Sequence, residues 1–368
     1  MGLVTGSARW VQEIVKPQLG GDPELFIADK DGKVVGSERI VPEKGFMRTT
    51  NSGIVRDGVQ AELKWRADTC RATVGNEISG IFKMLAAELG KQKEFGASFA
   101  PVIKMDKKEL NQLSENARVL GCAPSKNVHN AEAKVEVAKG FRTRSAGGHI
   151  HLGFQAYPDM MRDEVRMRLI PLMDILVGNT CVLVDRDPGQ AERRKTYGRA
   201  GEFRLPAHGV EYRTLSNFWL RSYQLFSMVM GLSRLASNVL RTELYFKNGV
   251  EAELLGRVNL KDVETAINRN NVKLAWKNWQ GVKDFINNFV PPIECGLDHT
   301  RTDDFEFFAQ SVQESGIEKW FPLDPITHWT NMPEGHGTGW EAYLQGAVAI
   351  VRQQDRLAKA LQKIRDRK

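Results

Sequence analysis

The chain has 368 residues, 42% of them hydrophobic and 26% charged, with 52 Lys+Arg against 45 Asp+Glu and a formal net charge of +7. A globular chain of this size buries about three quarters of its unfolded surface, and the composition excludes disordered, collagen-like and coiled-coil classes. No apolar run reaches the roughly 20 residues of a membrane-spanning helix, and the N-terminal sequence lacks the apolar core of a secretory signal, so the expectation is a cytoplasmic protein with no membrane association.

Taken in chain order, LFIADKDGKVVG (25–36) reads as a hairpin, with two apolar strands around an Asp-Gly turn. Residues 42–57 read as a polar loop, and GVQAELKWR (58–66) alternates as a strand. Ile78, Ile81, Phe82, Leu85 and Leu89 recur at three and four residues, the stripe of one helix face. Further helices are expected near 106–119 and over 158–183, the latter capped by Asp159 and kinked at Pro171. Residues 217–244 are apolar almost all round, which predicts a buried helix. Beyond Lys247 the pattern is helical over 260–290, 303–315 and 338–366. The predicted organisation is a mixed α/β core over 1–250 and a helical region, 251–368, packed on it. Cys70, Cys122, Cys181 and Cys295 are scattered, which predicts small buried hydrophobes in a reduced compartment.

Chemistry-bearing residues gather in three places. In GDPELF, Asp22 and Glu24 are two apart and share a side of an extended chain, although Gly-Asp-Pro is also ordinary turn chemistry. RDGVQAELKW adds Glu62, with Asp57 read as part of a turn. SAGGHIHLGF puts His149 and His151 on one strand face after a glycine pair, and neutral imidazole is a common metal ligand. The densest stretch, 192–220, carries Glu202-x-Arg204 and Glu211-x-Arg213 behind Arg199, with aromatics and glycines between the charges. Glu24, Glu62, Glu211 and His149 together form an oxygen-rich donor set that suits Mg²⁺ or Mn²⁺ better than a thiolate zinc site. Arg199, Arg204 and Arg213 are the residue type that clamps polyphosphate. Neither a Walker A pattern nor a kinase catalytic loop is present.

With GDPELF (21–26), DGVQAEL (57–63), AGGHIHLGF (146–154), YGRAGEFR (197–204) and HGVEYRTLSNFWL (208–220) in that order, residues 20–245 resemble the phage-type carboxylate–amine (COOH–NH2) ligases of the glutamine synthetase and glutamate–cysteine ligase superfamily. The resemblance implies an α+β fold: a curved antiparallel β-sheet with the site on its concave face, outer helices and a helical C-terminal region. It implies ATP, two or three Mg²⁺ or Mn²⁺ ions, and activation of a carboxylate as an acyl phosphate that an amine attacks to give an amide. Residue by residue, it gives Asp22, Glu24, Glu62, His149 and Glu211 to metal. It turns His151 toward the γ-phosphate and puts Arg199, Arg204 and Arg213 on phosphate. One departure is plain: glutamine synthetase carries two acidic residues on the strand where only Glu62 stands here, and its N-terminal β-grasp domain has no counterpart.

The alternatives are a phosphotransferase of guanidino-kinase type and a nucleic-acid-binding or virion protein that kept the fold. Acceptors consistent with a phage setting, in the host cytoplasm, include a modified nucleic acid, a cell-wall peptide or a polyamine. The apolar helix 217–244 and the C-terminal helix offer faces for self-association. The net charge itself selects no partner. Residues 352–368 hold seven Lys/Arg and two Asp, a charge of +5 that leaves +2 for the rest.

Overall fold

The computed structural model describes residues 15–118, 125–130, 142–247, 249–290, 322 and 324–332. The chain enters with β1 (Gln18–Gly21), turns at Asp22-Pro23, and continues as β2 (Glu24–Asp29) and β3 (Val34–Val35). The 25–36 hairpin is present, with Ile27 opposite Val35. Residues 42–57, expected as a loop, form a second hairpin, β4 (Phe46–Thr49) and β5 (Ser52–Asp57). β4 is an end strand of its sheet, and its last three residues are exposed, so it lacks the apolar alternation of a half-buried strand. β6 (Gln60–Lys64) follows, then the amphipathic helix α1 (Arg71–Lys91), β7 (Phe95–Ser98) and β8 (Val102–Lys104).

The helix expected near 106–119 is two pieces, α2 (Lys107–Gln112) and α3 (Glu115–Arg118). Asp106 and Glu109 form a capping box at the start of α2. The Ser114 hydroxyl accepts from Ala117 N at 3.2 Å and begins α3. After β9 (Lys126–Asn127), β10 (Thr143–Ser145) and β11 (Ile150–Gly153) comes a long helical stretch. It comprises α4 (Asp163–Met173), a π-helical turn (Asp174–Gly178) and α5 (Asn179–Val184). Asp159 is not its cap: it accepts from Arg241 Nε at 3.0 Å, and the helix opens after Arg162. Pro171 lies inside α4 without ending it.

Contrary to the sequence expectation, Asp163–Val184 is long and apolar enough to cross a membrane by length and composition. However, 83% of its most apolar window is buried inside the protein, as in a core helix. Next come α6 (Gly189–Arg193), β12 (Glu202–Arg204), β13 (Gly209–Tyr212) and the buried α7 (Tyr223–Phe246), which Ser222 caps. α8 (Val250–Arg257), α9 (Leu260–Asn268) and α10 (Val272–Phe289) complete this part, with a short helix at Pro325–Thr330. The predicted 260–290 helix divides at Asn270, whose φ of 48° is left-handed, and Asn271 caps α10. The helices expected at 303–315 and 338–366 lie outside the described residues. Cys181 is buried and Cys70 half-buried, and both are free; Cys122 and Cys295 are outside the described residues.

The fold is α+β with antiparallel pairing throughout the named strands. One five-stranded sheet runs β1-β11-β13-β12-β9, and a six-stranded sheet runs β3-β2-β6-β5-β4 with β7 beside β2. The two sheets meet where β1 becomes β2, and Glu24 N donates to Gly147 O across the junction at 2.9 Å. α4, α5 and α7 share one apolar core with both sheets, in which Trp219 meets Trp65 edge-on at 6.2 Å.

Gly148 marks a tight crossing of backbones. A Cβ there would lie 2.0 Å from Ser216 O and 2.7 Å from the Trp219 indole nitrogen. Gly148→Ala is therefore expected to destabilise by about 1–3 kcal/mol in urea unfolding. Gly96→Ala, with nothing within 4 Å of the added carbon, tests the argument by shifting the midpoint far less.

Candidate active site

Strand register assembles the site. In the five-stranded sheet β11 lies between β1 and β13, so His151 stands opposite Glu211. In the other sheet β2 pairs with β6, so Glu24 stands opposite Glu62. The hairpin β5–β6 sets Asp57 opposite Gln60, so Asp57, Gln60 and Glu62 share a face with Glu24. Asp22 occupies the corner between the two sheets.

Two groups of ligand atoms result, each lying within 4.8 Å of one another: Glu24, Asp57 and Glu62, and Asp22, His151 and Glu211. In the first, Glu24 is 1% exposed. Its Oε2 accepts from Gln60 Nε2 and Gly147 N, both at 2.8 Å. Burial and the neighbouring Asp57, Asp22 and Glu62 carboxylates push its pKa up to about 8. Burial and Asp22 likewise push Glu62 up to about 7, against the opposing pull of Lys64 at 3.1 Å. Asp57 is raised by burial and by Asp22. These three acids crowd one another with little positive charge to balance them.

The second group is balanced. Burial alone would raise Asp22, but His149 and His151 hold it well below the usual carboxylate range. His149 Nδ1 lies 2.9 Å from Asp22 Oδ1 and 3.6 Å from Glu211 Oε1. Burial lowers the His149 pKa, and nearby Arg213 adds to that against the pull of Asp22. For His151 burial is outweighed by Asp22, and its pKa rises. The His151 Nε2 atom is buried, 3.3 Å from Asp22 Oδ1, without a hydrogen bond of good geometry. Its Nδ1 meets His208 Nε2 at 3.0 Å.

Among the arginines, Arg213 is 1% exposed and bonded to Glu211, and its Nη2 donates to the Tyr197 hydroxyl at 2.7 Å. Arg204 Nη1 lies 3.5 Å from the same Glu211 oxygen. Arg199 is placed differently: its guanidinium donates to the carbonyls of Arg194 and Lys195 at 3.1 and 2.6 Å, not to the carboxylates. A cavity of about 810 Å³ opens beside these groups, its lining including Asp22, Glu62, His151, His208, Lys44 and Lys64.

The structure thus brings together Asp22, Glu24, Glu62, His149, His151, Glu211, Arg204 and Arg213. Sequence reasoning gave no role to Asp57, Gln60, Tyr197 or His208. A two-residue turn at Gly58-Val59 would have put Asp57 on the Glu62 face, so that signal was present. Tyr197 and His208 stand in loops, where no periodicity assigns a direction.

Residues 107–254 match the family model described as phage phiEco32-like COOH.NH2 ligase-type 2. Over this segment the chain is similar to that carboxylate–amine ligase family. No curated protein matches it. The family segment holds His149, His151, Tyr197, Arg204, Glu211 and Arg213. The remaining acidic residues, Asp22, Glu24, Asp57 and Glu62, lie upstream of it and join these residues through β1, β2, β5 and β6.

Proposed function

We propose that the protein is an ATP- and divalent-metal-dependent ligase that joins a carboxylate to an amine. The observation that carries this reading is the pair of donor groups at one corner, all carboxylate oxygens on one side and two carboxylates with an imidazole on the other. Hard carboxylate oxygens with imidazole beside them fit Mg²⁺ or Mn²⁺. The fit is supported by the buried His151 Nε2, which has no hydrogen bond of good geometry, and by the crowded acids whose pKa values burial and mutual repulsion raise. Asp22, His149, His151 and Glu211 would hold one ion, and Glu24, Asp57 and Glu62 another. Bound there, such ions neutralise triphosphate charge and polarise the transferring phosphoryl.

In the reaction, a carboxylate oxygen of the substrate attacks the terminal phosphorus of ATP and ADP leaves. The amine then attacks the acyl carbon, phosphate departs, and the amine loses a proton. Arg204 and Arg213, held beside Glu211, supply fixed positive charge for the phosphoryl oxygens. Glu211 in turn keeps both guanidinium groups in place.

The test is ADP release that requires both a carboxylate and an amine, together with transfer of ¹⁸O from the labelled carboxylate into phosphate. Label transfer supports the ligase. ADP release with phosphate left on the acceptor would favour the phosphotransferase, and no nucleotide turnover would favour a binding protein. Metal removal offers an independent check. Free Mg²⁺ at about 100 times its Kd is expected to stabilise the fold by about 2.7 kcal/mol, and chelation with EDTA should reverse the gain in a thermal melt.

A further inference from the structure

We propose that Tyr197 is a positioning residue whose hydroxyl couples the metal-side histidine His149 to the phosphate-side arginine Arg213; this rests on the metal-dependent reading above. The Tyr197 hydroxyl touches both at once, receiving Arg213 Nη2 at 2.7 Å and hydrogen-bonding His149 Nε2. The other face of His149 looks the opposite way, with Nδ1 on Asp22 and within 3.6 Å of Glu211. One phenol oxygen therefore fixes the remote nitrogen of an imidazole whose near nitrogen faces the proposed ligand oxygens. A ligating histidine needs such a partner on its second nitrogen to hold its ring plane and tautomer.

The phenol suits this place because of its two-way chemistry. Arginine only donates, so the Tyr197 oxygen accepts from Arg213, and it keeps one proton to donate and a second lone pair to accept with. It can donate to His149 Nε2 while Nδ1–H faces Asp22. It can equally accept from Nε2–H when the Nδ1 lone pair is turned to a cation. A carboxylate or an amide at this position would serve only one of the two forms at a given atom.

The ring is held as firmly as the hydroxyl. Arg193 lies over it at 5.1 Å and Arg213 at 5.4 Å from the centroid. Arg193 is itself fully buried and anchored to Thr214 O and Leu215 O at 2.9 and 2.7 Å. Gly198, at a φ of 72°, turns the chain directly after Tyr197, and a Cβ there would lie 2.1 Å from Arg193 Nη1. Chain turn, cation stack and hydroxyl contacts all fix the same side chain.

Tyr197→Phe keeps the ring and removes only the hydroxyl. Mn²⁺ titration followed by electron paramagnetic resonance is expected to show about a 10-fold or larger rise in Kd, the size of effect seen when the outer partner of a ligating histidine is lost. The thermal midpoint should move little by comparison, and kcat should fall more than KM for ATP rises. A Kd within twofold of the unaltered protein's would overturn the proposal. Should the variant fail to fold, the ¹⁵N signals of the His149 ring in the unaltered, metal-free protein still decide it. They are assigned by difference against His149→Gln. A single tautomer with both nitrogens hydrogen-bonded is expected, and averaged signals of a ring exchanging between tautomers would overturn the coupling. Absence of any Mn²⁺ binding by the unaltered protein would overturn the metal reading instead, with the histidine spectrum judging the Tyr197 contact separately.

Discussion

Replacing Glu211 by alanine should unfold the site as well as silence it. Glu211 is 4% exposed and is the counter-charge of Arg213, which is 1% exposed, with Arg204 3.5 Å away. Breaking a buried ion pair by removing one partner costs about 3–5 kcal/mol, because the remaining charge is desolvated and has lost its contact. Urea unfolding of Glu211→Ala against the unaltered protein measures this. Glu211→Gln keeps the shape and an oxygen for the guanidinium groups, so its loss of stability should be smaller. Its turnover should nevertheless drop about 100-fold or more, because neutral Gln neither balances the arginines nor offers a charged donor to a cation. A Glu211→Gln variant with full nucleotide turnover would remove this residue from the chemistry.

Glu24→Gln should act in the opposite direction on stability. Glu24 ionises near pH 8 in the folded chain and near 4.5 when unfolded, because burial and three nearby acids disfavour its charge. A raised acid binds its proton more tightly when folded. Its contribution is therefore full below about pH 4.5 and declines as the pH climbs toward 8. Glutamine removes that decline. Its amide oxygen can accept from Gln60 and Gly147 as the carboxylate does, and its amide nitrogen can donate toward Asp57 and Glu62. The metal-free variant should thus be more stable than the unaltered protein by a margin that grows with pH, on the order of 5 kcal/mol by pH 8.5. Saturating Mg²⁺ should close the gap by stabilising only the unaltered protein strongly. Paired urea titrations at pH 5.5, 7 and 8.5 give the answer, and parallel curves would show that Glu24 carries no such strain.

How much of this was legible in the sequence differs from element to element. The α1 stripe and the 25–36 hairpin were plain, since both bury one face against the core and so follow a simple period. The β4–β5 hairpin was hidden because its outer strand faces solvent, where selection for apolar alternation disappears. The breaks at Leu113–Ser114 and Asn270 were hidden for another reason. A serine cap or a left-handed asparagine ends a helix by a local bond, inside a stretch whose apolar spacing continues. Within the site, the i and i+2 rule put Asp22 and Glu24 on one side, but Pro23 turns the chain between them and sends them to different donor groups. His149 and His151 do stay together: His149 directly precedes β11, and both imidazoles reach Asp22. No spacing rule could bring Asp57 to Glu24 or Tyr197 to His149; those neighbours are made by tertiary contacts between residues 33 and 48 apart in the chain.

The Asp22-Pro23 corner has a mechanical consequence. One donor group rides on each sheet, and the Asp22-Pro23 bend joins two of the strands that carry them, so the spacing between the proposed ions follows how the two sheets are set against each other. Loading the site would then work like a rivet through a hinge. Backbone amides on either side of the corner, from Leu19 to Leu25, should exchange with solvent more slowly once both ions are in place. A substrate that pries the cleft wider would loosen its own metals.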